Sequence, residues 1–216
     1  MKKFVIFSFK YVSFKDLCLV LFLSTFAFWG IGQCPYSKTV GSNVGIPNIA
    51  VAISQGVLPV TFQVPNSLSY IAQNFCISGT FDASNNYNLQ NCFIQVLANS
   101  KFVYGSQQEN SIIECEITGD GLTSEVLVQG PQTGLIVNRT TFKNLNKFIV
   151  NFASVINFGS TFYENIERVE IRNGGLYNLG THFYNARIDA RFNCLLYSNG
   201  SWYQGNVDDF IFIPAS

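Results

Sequence analysis

The chain has 216 residues, 48% of them hydrophobic and only 12% charged, with thirteen basic residues against thirteen acidic ones and a single histidine. Charge so evenly balanced offers no clustered basic footprint for nucleic acid, and one histidine excludes most imidazole-based acid–base pairs and zinc sites. Six cysteines, none in a C-x-x-C pair, point to disulfides rather than to metal ligation.

Residues 1–32 open with Lys2, Lys3, Lys10 and Lys15 and then run apolar from Leu17 to Trp29, with no charge after Asp16. This is the basic-then-apolar pattern of a secretory signal peptide, and the run is shorter than the roughly 20 apolar residues that a bilayer-spanning helix needs. Gly30 and Gly32 supply the small residues that cleavage before Gln33 requires. Cleavage removes four lysines and one aspartate, leaving nine basic and twelve acidic residues and no transmembrane segment. Five cysteines stay behind, Cys34, Cys76, Cys92, Cys115 and Cys194, an odd count that leaves at least one without a partner in the chain. The mature chain is expected to be secreted or held at the cell surface.

Residues 33–75, with Pro35, Pro47, Pro59 and Pro65, do not repeat. They are expected to form a leading segment that covers an otherwise open sheet edge. From residue 76 to 216 the chain repeats. Segments starting at Leu135, Val155, Leu176 and Leu196 can be laid over one another, and side chains two apart share a face of a strand. Four inward columns are expected: Ile136/Ile156/Tyr177/Tyr197, Asn138/Phe158/Leu179/Asn199, Thr140/Ser160/Thr181/Ser201 and Phe142/Phe162/Phe183/Tyr203. An asparagine suited to a left-handed turn follows each segment, at Asn144, Asn165, Asn185 and Asn206. Each copy then has a second strand, through Phe148-Ile149-Val150, Arg168–Arg172, Arg187–Arg191 and Asp209–Ile213.

A unit this short cannot bury its own apolar face, and stacked copies solve the problem. The L-x-x-L-x-L spacing of leucine-rich repeats is absent. The pattern predicts an all-β fold, a right-handed parallel β-helix with coils of about 20 residues. Ile113-x-Cys115-x-Ile117 and Gln90-x-Cys92-x-Ile94 fit the same columns in longer coils. Cys92 and Cys115 should therefore lie one above the other, as a disulfide or as an unbonded stack.

The succession Phe75–Phe81, Leu89–Cys92, Phe102–Tyr104, Ile112–Ile117 and then coils carrying Thr-Phe-x-Asn resembles secreted parallel β-helix proteins of the Bacteroidota, with the pectate-lyase-like fold. The likeness covers about residues 70 to 210 and rests on structural motifs. Such proteins often run through many coils to a C-terminal sorting domain. Here the chain stops at Pro214-Ala215-Ser216, just after a strand, and is read as the N-terminal part of a longer solenoid.

No phosphate loop, G-x-S-x-G or H-E-x-x-H occurs, and no cofactor or metal is implied. His182 alternates outward in a strand, where a solvated histidine is the plain reading. Asp208 and Asp209 have the residue types of a glycosidase pair, but neighbours in a strand point to opposite faces. The sequons Asn138-Arg139-Thr140 and Asn199-Gly200-Ser201 place their Asn in columns expected to face inward, and are taken as accidental. The most distinctive feature is a charged stripe: Arg168, Glu170 and Arg172 share one strand face, and Arg187, Asp189 and Arg191 repeat the signs 19 residues later. Stacking makes them a grid on an exposed face, which is self-neutralised, or binds an acidic polysaccharide, since guanidinium forks match carboxylates, or uses its acidic pair to hold Ca²⁺ as polysaccharide lyases of this architecture do. The expected function is a cell-surface scaffold or adhesion and binding module without catalysis, its partner a glycan or other cell-envelope component. The alternative is a carbohydrate-active lyase or hydrolase of pectate-lyase-like architecture.

Overall fold

The computed structural model describes residues 34–59, 61–63, 68–84, 87–105, 109–191, 194–204 and 211–213, all in one compact unit that begins at Cys34. The expected export segment, Asn206 and the pair Asp208 and Asp209 lie outside these residues. The fold is a parallel β-helix with about 21 residues per coil and almost no helix.

Each coil contributes a strand to three ladders. The first stacks Thr39–Val40, Phe75–Ile77, Phe93–Val96, Glu116–Thr118 and Thr141–Lys143, and then the leading ends of Phe162–Arg172 and His182–Arg191. The second stacks Thr80–Asp82, Lys101–Tyr104, the start of Glu125–Asn138, the start of Lys147–Phe158 and the trailing ends of Phe162–Arg172 and His182–Arg191. The third runs from Leu68–Ile71 through Tyr87–Gln90 and Glu109–Ile113 to Gly175–Leu179 and Leu195–Asn199. Residues before 76 already follow this path: Thr39–Val40 joins the first ladder, Asn48 makes a parallel bridge to Asp82 in the second, and Leu68–Ile71 starts the third. Only the pairing of Thr61–Gln63 with Leu68–Ile71 is antiparallel among the described strands.

The core is a set of columns, each side chain resting on its equivalent one coil away. Phe81, Phe102, Val126, Phe148, Val169 and Ile188 form one in the second ladder, all buried. In the first ladder Ile94, Ile117, Phe142, Tyr163 and Phe183 form another. The ring of Tyr163 stacks on Phe142 at 5.2 Å and on Phe183 at 5.0 Å between centroids.

This corrects the expected placement of Phe162. It faces outward and stacks on His182 at 4.7 Å, while Tyr163 takes the inner position. The cause is one extra corner residue. Arg139 alone is left-handed in its corner, whereas Gly159 and Ser160 both are, with φ 50° and 64°. Thr161 rather than Ser160 therefore stands with Thr140 and Thr181, all three buried.

The third ladder corrects a second expectation. Leu135, Val155 and Leu176 face inward, followed by Val137, Asn157 and Asn178, all fully buried. Ile136, Ile156, Tyr177 and Tyr197 face out, as do Asn138, Phe158, Leu179 and Asn199. A left-handed residue at each corner breaks the two-residue alternation, so a phase counted back from Phe142 arrives inverted. Both sequon asparagines accordingly point outward. The turn asparagines behave as expected. Asn144, Asn165 and Asn185 have φ of 51°, 50° and 49°, and their amides form a ladder, Asn185 donating to Asn165 at 3.1 Å and Asn165 to Asn144 at 3.5 Å.

Candidate functional site

The second ladder places the charged stripe. Strand alternation puts Val169, Ile171, Ile188 and Ala190 in the core and sends Arg168, Glu170 and Arg172 to the other face, with Glu170 paired to Asp189 and Arg172 to Arg191 along the backbone. The Arg191 side chain is not among those described. The structure brings the other five sequence-predicted residues together. Arg168 reaches both acids, Nη1 lying 3.4 Å from Glu170 Oε1 and Nε 3.3 Å from Asp189 Oδ2. Arg172 donates to Glu170 Oε2, and Arg187 Nε lies 3.8 Å from Asp189 Oδ1.

The grid is layered rather than uniformly exposed, contrary to the sequence-based picture of a solvated face. The side chains of Glu170 and Asp189 are 1% and 0% exposed, whereas those of Arg168, Arg172 and Arg187 are 29–40% exposed. Carboxylates without water need charged partners: Glu170 accepts from Arg168 and Arg172, and Asp189 lies within ion-pair distance of Arg168 and Arg187, while these arginines stay partly exposed. The surface so presented is cationic.

Three members of this face escaped the sequence reading. Lys101, Glu125, Lys147 and Arg168 occupy one column of the ladder. Lys101 pairs with Glu125 at 2.8 Å, and Lys147 approaches both Glu125 at 4.0 Å and Glu170 at 3.8 Å. The signal was available, because these residues recur at about the coil period. It was hidden because Lys101 and Glu125 belong to longer early coils that do not align by eye. Five described cations thus stand over three acids, concentrating positive charge in a chain with an acidic excess after residue 32.

Elsewhere, Cys34 and Cys76 form a disulfide across 42 residues, a pairing that spacing alone could not reveal. Cys92 and Cys115 occupy equivalent corner positions and are not bonded. The Cys92 N–H points at Cys115 Sγ, 3.4 Å away. The contact with Cys92, together with burial, pushes the Cys115 thiol up. Cys194 is half-buried and free. In the chain from Gln33 onward, a thiol reagent is therefore expected to label Cys194 alone in the native state and three cysteines after unfolding without reductant. Rapid native labelling of Cys92 or Cys115 would show that their corner opens easily.

Among the described residues, no His/Cys/Asp/Glu group could hold a metal ion, and no helix is long and apolar enough to cross a membrane. Compared with protein-family models, with curated proteins and with solved structures, the chain matches none.

Proposed function

We propose that this chain is an exported cell-surface β-helix, as in the secreted Bacteroidota solenoids it resembles, and that it serves as a scaffold and adhesion module whose cationic face binds an acidic glycan. The observation that carries the reading is the layering of the second ladder, with Glu170 and Asp189 buried and arginine edges outward. Arg-rich edges at the coil spacing of about 4.8 Å suit the repeated carboxylates or sulfates of a polysaccharide. Export is supported by the Cys34–Cys76 bridge, since disulfides persist in oxidising compartments, and by a compact unit that begins where the apolar leader ends. A lyase using an acidic pair to hold a cation is less favoured, because arginines already engage both carboxylates.

Binding to alginate or polygalacturonate should weaken steeply as salt is raised, because the contacts are partly exposed charges. Arg172→Gln and Arg187→Gln should each weaken it further, with Arg139→Gln as a control, since Arg139 pairs with Glu114 away from this face. Stability of each variant must be measured alongside, because these arginines also partner buried acids. Salt-independent binding would remove the cationic face from the explanation. Cleavage of the polysaccharide by purified protein, abolished in Glu170→Gln or Asp189→Asn, would replace the scaffold with the enzyme.

A further inference from the structure

The corner between the second and third ladders holds a left-handed residue in successive coils: Gly130 at φ 107°, Phe152 at 53° and Asn173 at 48°. The register makes them equivalent, since Gln129 pairs with Asn151 and Asn151 with Arg172 just before this point. Glycine and asparagine adopt this conformation readily, while a bulky aromatic does so rarely and at a cost. Burial does not offset that cost, because Phe152 is 54% exposed. A phenylalanine held in a strained backbone with its ring in solvent calls for another reason to be there.

The surroundings supply one. Phe152 separates two concavities, of about 360 Å³ and about 310 Å³. Gln129, Gly130 and Asn151 line the first, and Ser154, Asn173 and Tyr177 the second. The wall of the second is drawn in by Gly174, where a Cβ would sit 2.4 Å from the Ala153 carbonyl oxygen. From Gly105 to Cys194 the depression crosses four coil steps, about 19 Å at the strand spacing. An aromatic plate flanked by amides and hydroxyls matches a sugar unit, whose C–H face is attracted to the negative face of a ring and whose hydroxyls pair with amides. The cationic face adjoins directly, because Arg172 precedes Asn173 in the chain.

We propose that Phe152 is the stacking platform of a saccharide subsite at this corner, continuous with the arginine face, so that an acidic polysaccharide lies across both. The inference rests on the glycan-binding reading above and gives it a sugar-recognising element that salt does not screen.

The test uses the full chain with alginate, polygalacturonate and neutral cello-oligomers as probes. Phe152→Asn installs the residue of the next coil, so its unfolding temperature should equal or exceed that of the parent. Its affinity should fall about tenfold, the order expected for one lost stacking contact, and by the same factor at low and high salt. Phe152→Trp should keep binding. A drop in unfolding temperature for Phe152→Asn would mean that the ring is structural and would overturn the proposal. Unchanged affinity in Phe152→Asn with loss in Arg172→Gln would overturn the corner and keep the arginine face. Loss in Phe152→Asn with no effect of Arg172→Gln would keep the corner and remove the arginine face. Failure of the parent to bind any probe would overturn both.

Discussion

Replacing Tyr163 with Ala is expected to lower the unfolding free energy by about 3–5 kcal/mol, the range for truncating a buried aromatic, while Phe162→Ala should cost about 1 kcal/mol or less. Tyr163 is fully buried between the rings of Phe142 and Phe183, and also meets Phe148 edge-on at 5.1 Å. Its hydroxyl donates to Asn157 Oδ1 at 3.0 Å, and Asn157 in turn donates to Asn178 at 2.7 Å. Burial pushes the phenol well above its ordinary range, outweighing the Asn157 contact, so it stays neutral. Tyr163→Phe therefore isolates the hydroxyl and should cost about 1 kcal/mol. Denaturant titration of the three variants checks the order. A larger loss at Phe162 than at Tyr163 would mean that the ring column runs through Phe162 after all.

Arg168→Ala should be the most damaging substitution on the outer surface, at about 2–4 kcal/mol, because removing one partner of a buried charge leaves that charge undercompensated. Among the described side chains, Arg168 alone bridges Glu170 and Asp189. Ordinary surface pairs behave differently. Arg139, 62% exposed against Glu114 at 34%, should contribute less than about 1 kcal/mol. Combining Arg168→Met with Glu170→Met and Asp189→Leu should recover much of the loss, as apolar replacement of buried ion networks often does. Thermal and urea unfolding at matched pH read the comparison. A cost for Arg168→Ala below about 0.5 kcal/mol would show that the carboxylates do not depend on it.

The stacking principle was legible in the sequence because it is a statement about period. Four segments recur every 20 or 21 residues, and no arrangement of so short a unit other than stacking buries its apolar side. Which face each residue takes was legible only within a strand. Arg168–Arg172 alternates without interruption, so the inward Val169 and Ile171 followed directly. Across a corner the count fails, since Arg139 consumes one left-handed residue and Gly159-Ser160 consumes two. Both faces of the third strand also carry apolar residues, such as Leu135 beside Ile136, so hydrophobicity could not decide between them. The same limit applies to the charged grid. Signs and spacing announced that Arg and Glu would meet, but not that Glu170 and Asp189 would be buried. The Cys34–Cys76 bridge joins a non-repeating stretch to the first ladder, where no period exists to align the two.

Because the hydrogen bonds of the three parallel ladders join one coil to the next, tension applied along the solenoid axis loads one coil boundary at a time. Peeling one coil of about 21 residues would release about 70 Å of chain at the extended length per residue, so the molecule would yield in steps rather than in a single rupture. The stretch closed by the Cys34–Cys76 bridge, spanning 42 residues, would be withheld from that extension as long as the bridge stays oxidised. A solenoid built this way lengthens under load instead of letting go, and the redox state of one bond sets how far.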